Sequence, residues 1–190
     1  MRTRIFVSGL AAAVAATAFL AGTTPSSAAS PSEQTAQAGQ AGTRQVVEHA
    51  QQSRKSDQVP TIGRRWAAAW VTTDTGDLAR LYTKDAIYTD QALNLVFHGR
   101  EGVTQWETGS HQLINDLRFD VTGGFGGRDE VVVEGVFSGH IVGAPRPFAV
   151  PAVTVLRLRG NLIRSSNDYY NRGEILSDSG LPADWTPTGN

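Results

Sequence analysis

Three side chains carry the chemistry this sequence offers: Tyr88, Asp90 and Asp168. Tyr88 and Asp90 flank Thr89 in a run that reads as a strand, so both project from one face. Asp168 precedes Tyr169 and Tyr170 at the end of a second such run, between apolar and aromatic neighbours. If both strands present their carboxylates to one apolar enclosure, burial and like charge push at least one pKa upward. One group then serves as acid and the other as base, and the Tyr88 phenol can donate to a developing oxyanion. Such a set suits proton abstraction, enolisation, aldol-type cyclisation or water activation, none of which requires a metal or an organic cofactor. Structural roles compete with this reading. Asp90 can satisfy backbone donors at a strand end, and Tyr88 can belong to core or rim.

The aromatic residues Trp66, Trp70, Trp106, Phe119, Phe137 and Phe148 read first as core. A subset of them, with Tyr170, is expected to wall the pocket, and their bulk favours an apolar or cyclic ligand. His140 is in phase with Ser138 and Val136 and is a further candidate for the pocket. His98 and His111 flank a helix and suit surface or capping positions, and His49 lies in a low-complexity stretch. The histidines show no ligand spacing, so no metal site is expected. The glycine run 123–127 lacks the helix and Lys-Ser/Thr pair of a phosphate loop and reads as a hairpin turn.

These residues need elements to hold them. Ile62, Trp66, Ala69, Trp70 and Thr73 recur at helical spacing, and Asp77 is placed to cap a short second helix carrying Leu78, Leu81 and Tyr82. Ala86 to Leu93 reads as a strand. Gly99 turns the chain into a third helix with Val103, Trp106, Ser110 and Leu113 on one face. Four strands follow, over 117–121, 129–141, 148–158 and 162–170, joined by turn compositions. Helices followed by hairpin-linked strands predict an α+β fold, a cone-shaped curved antiparallel sheet wrapped around three N-terminal helices. The hollow of the cone is where a small molecule would sit.

Composition bounds the rest. Arg2 and Arg4 precede an apolar run from Ile5 to Ala21, and Ser27-Ala28-Ala29 supplies small residues for cleavage before Ser30. This is the pattern of a secretory signal peptide over residues 1–29, and it predicts a secreted protein with no membrane attachment after cleavage. Cysteine is absent, which removes disulfides and thiolate chemistry from consideration. Loss of Arg2 and Arg4 leaves 15 basic against 18 acidic residues, a charge of −3 with no footprint for nucleic acid. Residues 30–58, rich in Ala, Gln, Ser, Gly and Thr, read as a flexible linker. One domain is expected over 59–185, with a short tail over 186–190.

The element order and the segments Leu81-Tyr82…Asp85-Ala86, Gly99-Arg100-Glu101-Gly102-Val103 and Asp168-Tyr169-Tyr170 resemble the nuclear-transport-factor-2-like superfamily, in particular its SnoaL-like polyketide-cyclase branch. The resemblance implies the cystatin-like α+β roll, and it covers nearly all of 59–185. Ketosteroid isomerases of this superfamily place a proton-shuttling Asp eight residues after an aromatic residue, the spacing of Tyr82 and Asp90. Their oxyanion-hole Tyr and Asp are replaced here by Trp66 and Trp70 and by the apolar stretch Ala152–Val155. Limonene epoxide hydrolases hold a water at positions that Tyr88, Asp90 and Asp168 occupy. The Arg and second Asp those enzymes use have no counterpart in Val133–Phe137. The expected function is a small apolar or polycyclic ligand bound in the cone, with cofactor-free acid–base chemistry by Asp168 and Asp90. The alternative is a non-catalytic binding module or a homodimer formed through the open sheet face.

Overall fold

Helical spacing in the first apolar run and two-residue alternation in the later ones translate directly into packing. The protein is described here by a computed structural model, over residues 58–72 and 76–187. The leader, all but the last residue of the linker, and residues 73–75 and 188–190 lie outside the described residues. Helix α1 (Thr61–Ala69) buries Gly63, Trp66, Ala67 and Ala69 and lays that face against the sheet. A Cβ at Gly63 would stand 2.8 Å from Val133 and 3.0 Å from Val59, so a side chain there would hold the helix off the sheet.

Helix α2 (Asp77–Arg80) is a single turn. Asp77, expected as its cap, is instead its first residue and pairs with Arg80. Gly76 takes the cap position, and the donors at this helix start are met from elsewhere in the chain. Glu107, fully buried on helix α3 (Gly99–Leu113), accepts from the backbone N–H of Gly76 at 2.8 Å and of Leu78 at 3.3 Å.

Six strands follow the order β2-β1-β6-β5-β4-β3. They are β1 (Tyr82–Asp90), β2 (Leu95–His98), β3 (Ile114–Gly126), β4 (Glu130–Ile141), β5 (Phe148–Arg159) and β6 (Leu162–Tyr170). The sheet is curved and unclosed, the α+β cone expected from the element order. Several features differ from the expected elements. Tyr82 opens β1 rather than closing α2. β2 is a four-residue hairpin partner of β1 that has no strand signal of its own length. β3 runs on through the glycine run to Gly126 before turning. Glycine is required within it: a Cβ at Gly124 would lie 2.3 Å from the Val132 carbonyl oxygen, and the residue sits at φ 151°.

The remaining difference sets the site. β1 and β6 pair in parallel, in an otherwise antiparallel sheet. Tyr88 lies opposite Ser166, and Asp90 lies opposite Asp168. A last helix, α4 (Arg172–Ser179), was not signalled by hydrophobic spacing and is defined by its ends. Asn171 caps its start by accepting from Glu174 N–H at 3.2 Å. Arg146 donates to the carbonyls of Ser177 and Asp178 at its end, both at 2.9 Å. Arg172 ties the following segment back through the carbonyls of Ala183 and Trp185. No helix among the described residues is long and apolar enough to cross a membrane.

Candidate functional site

The parallel register of β1 and β6 places four polar side chains in a reciprocal pattern. Two-residue alternation puts Tyr88 and Asp90 of β1, and Asp168 and Tyr170 of β6, on one face. Each tyrosine then reaches diagonally across to the other strand's carboxylate. Tyr88 donates its hydroxyl to Asp168, and Tyr170 donates to Asp90 at 2.6 Å. Further donors come from outside this exchange. Thr154 on β5 donates to Asp168 at 2.8 Å, and the Leu93 N–H donates to Asp90 at 2.8 Å.

These side chains form one wall of a cavity of about 40 Å³. Helix α1 contributes Trp66 and its C-cap residue Trp70, helix α3 contributes Trp106 and Ser110, and Phe119 and Phe137 come from β3 and β4. Edge-to-face contacts fix the rings. Trp66 meets Phe119 at 5.1 Å and Trp70 at 6.2 Å between centroids, and Trp70 meets Tyr88 at 6.4 Å. Behind them, Trp66 donates its indole N–H to Tyr82 at 3.1 Å, and Tyr82 donates to Ser166 at 2.9 Å. No Lys, Arg or His is among the described residues that line the cavity. The Trp106 indole N–H acts on the Tyr88 phenol electrostatically but meets no acceptor at hydrogen-bond geometry.

Desolvation dominates the electrostatics. Asp168 is half-buried and lines the cavity. Burial pushes its carboxyl up to about 7, against the hydrogen bonds from Tyr88 and Thr154 that favour the ionised form, with the charge of Asp90 adding to the rise. Asp90 is also raised by burial, and it is held back by Tyr170 and by backbone donors. The phenols of Tyr88, Tyr170 and Tyr82 are all pushed upward, by burial first, so they remain donors. The pair thus combines one carboxyl that titrates near neutrality with a second, less shifted one.

Of the residues singled out in the sequence, the structure brings Asp168, Asp90, Tyr88, Trp66, Trp70, Trp106, Phe119, Phe137 and Tyr170 to this cavity. His140 and Phe148 do not line it. His140 shares a face with Ser138, and its Nε2 lies 2.9 Å from the Ala144 carbonyl oxygen. Phe148 packs edge-on against Phe137 at 5.1 Å, in a second apolar cluster with Ile141 and Ile175. Thr154 was missed. It is the polar residue of the apolar run Val150–Leu156, and its phase with Ala152 and Leu156, both buried, is the signal that turns it inward. Among the described residues, no three His, Cys, Asp or Glu side chains gather where they could hold a metal ion.

An unclosed sheet curled round helices, with acids on its inner face, is the nuclear-transport-factor-2-like α+β cone. The match is made specific by sequence: the SnoaL-like domain family matches residues 63–166, and the chain belongs to that family. A protein from Catenulispora acidiphila with a ketosteroid isomerase-like fold, crystallised in complex with trimethylamine, is 43% identical, with a TM-score of 0.67. The match covers 68% of this chain and 99% of that one. More distant likenesses, which bear on the fold alone, include IdmH, a candidate polyketide cyclase from Streptomyces antibioticus, at 19% identity and TM-score 0.54 over 62% of this chain and 95% of that one. Another is a protein of the same fold and unknown function from Burkholderia pseudomallei, at 17% identity and TM-score 0.56 over 62% and 93%. No curated protein matches the chain.

Proposed function

We propose that this protein binds a small organic cation, of the protonated tertiary amine class, in the aromatic cavity against Asp168 and Asp90. The observation that carries this reading is the make-up of the wall: two carboxylates and a ring of indoles and phenols, with no cationic side chain among the described lining residues. Ring faces and carboxylates both attract a compact cation, and alkyl groups on nitrogen suit the apolar remainder. Size supports the same class. One water needs roughly 10–15 Å³ of such space, so about 40 Å³ admits a few heavy atoms and not a fused polycycle. The 43% identical relative was crystallised with trimethylamine, a molecule of that size.

Occupancy by a cation would draw Asp168 into its ionised form, because an adjacent positive charge offsets the desolvation that holds it protonated. Calorimetric titration at pH 8 is expected to show trimethylamine binding and no binding of tert-butanol, a neutral molecule of similar shape. Trimethylamine affinity should fall as pH drops below about 7, where Asp168 takes up its proton. Equal affinity for both compounds, unaffected by pH, would sink the cation reading.

A second reading has its own support. A carboxyl pushed up to about 7 in a cavity that the Trp106 indole also lines suits acid–base chemistry on a small carbonyl compound. Preference for tert-butanol-like neutral probes in the same titration would favour it.

We also place the protein outside the cell, on the strength of the N-terminal pattern from Arg2 to Ala29. N-terminal sequencing of protein from culture medium is expected to begin at Ser30. Retention inside the cell with an intact Met1 would contradict that placement.

A further inference from the structure

The inner cavity is far smaller than the 300–1,000 Å³ usual for small-molecule sites, and a larger space adjoins it. A chamber of about 570 Å³ shares Trp106, Ser110, Phe137 and Tyr170 with the inner cavity as a common wall. Its other sides are apolar, built from Leu113, Ile114, Ile141, Ile175, Leu176 and Trp185. Arg172 is the one charged group among the described lining residues, and its guanidinium is committed to the carbonyls of Ala183 and Trp185. Those bonds strap the C-terminal segment across the chamber, so the enclosing wall is held rather than loose. Leu93 and Leu95 border the same space and remain 37% and 41% exposed.

We propose that this outer chamber is a subsite for an apolar alkyl chain carried by the same cation whose head occupies the inner cavity. The inference rests on the cation reading above. Its substrate class is then an amphiphilic amine, with a compact methylated nitrogen and a hydrocarbon tail. The shared wall argues for one ligand spanning both spaces rather than two ligands. Trp106, Phe137 and Tyr170 face a head group on one side and a tail on the other. Neither space alone suits such a molecule: the inner one has the charge without the room, and the outer one has the room with its only described charge already bonded.

Gly109 supplies the means of testing it. It borders the chamber on α3, and a Cβ there would have no heavy atom within 4 Å. Gly109→Phe therefore starts its side chain in open space at the chamber wall, and it removes a helix-weakening residue. Gly109→Ala is the control. The experiment is calorimetric titration of the full chain with trimethylamine, N,N-dimethylbutylamine, N,N-dimethylhexylamine and N,N-dimethyloctylamine, with 1-octanol as a neutral probe. Affinity is expected to rise about three- to fourfold per methylene in the parent and in Gly109→Ala. In Gly109→Phe the rise should vanish while trimethylamine binds within twofold of the parent.

Trimethylamine binding with no gain along the series, or a gain that survives Gly109→Phe undiminished, would overturn the subsite and leave the head-group reading standing. Binding of 1-octanol blocked by Gly109→Phe, with no binding of any amine, would uphold the chamber as an apolar site and overturn its cationic ligand. No binding by any probe would overturn both.

Discussion

At pH 8, Asp168→Asn is expected to bind trimethylamine about thirtyfold more weakly than the parent, and yet to unfold at a higher temperature. The two effects have one source. Removing the charge that faces a desolvated cation costs about 2 kcal/mol or more of affinity. The same charge is expensive to hold in the empty protein. The Asp168 carboxyl sits at about 7 when folded against an ordinary 3.8. Between those values the native state binds more protons than the unfolded chain, so stability falls as pH rises through the window. A separation of roughly three pH units, at about 1.4 kcal/mol each, makes the loss on the order of 3–4 kcal/mol by pH 8. Below pH 4 the cost is absent.

Asn cannot ionise, so the variant should match the parent near pH 4 and exceed it at pH 8 by about 5 °C or more in Tm. Its amide can still accept one of the two hydroxyl donors, from Tyr88 or Thr154. Thermal melts of both proteins at pH 4, 6 and 8, without ligand, provide the check. Parallel pH profiles for parent and variant would show that Asp168 is not strained by burial. A functional site kept at the expense of stability is the physical reading if the profiles diverge.

The second large effect lies away from the cavity. Glu107→Ala is expected to destabilise the domain by about 3–5 kcal/mol, because it strands the Gly76 and Leu78 N–H groups in a buried place and opens a void. Glu107→Gln keeps the shape and one acceptor oxygen, so it should cost roughly half as much. Urea unfolding at neutral pH separates the three proteins. A loss under 1 kcal/mol for the alanine variant would mean that α2 does not depend on this anchor.

The parts of the site legible in the sequence were those that follow from alternation within one strand. Tyr88-Thr89-Asp90 announces that a phenol and a carboxylate share a face, whatever lies beside them. Asp168 stood out because an acid within a β-forming run has a reason to be there. Pairing between strands was not legible, since strand order depends on which faces the helices cover. The parallel neighbourhood of β1 and β6, and with it the exchange of hydrogen bonds between Tyr88 and Asp168 and between Tyr170 and Asp90, belongs to that class. His140 shows the limit from the other side. Its phase with Ser138 was read correctly, but that face of β4 is the one opposite Phe137 and the cavity. Helix α4 escaped notice because its definition lies in Asn171, Arg146 and Gly180 at its ends rather than in a repeating apolar face. Gly180 adopts the left-handed conformation, φ 73°, that closes such a helix.

The parallel seam between β1 and β6 also sets when the site can exist. Tyr88 and Asp168, like Asp90 and Tyr170, are 80 residues apart in sequence, yet each pair must meet across a single strand interval. Four strands, β2 to β5, and helix α3 lie between β1 and β6 in sequence, so bringing the two strands side by side closes a long loop. Contacts of such long sequence separation are late and slow to form. The acidic centre therefore belongs to neither strand alone and exists only where β1 and β6 have met. A competent binding site on this scaffold thus reports that the two distant ends of the sheet sequence have been joined, with the helices that wall the cavity in place.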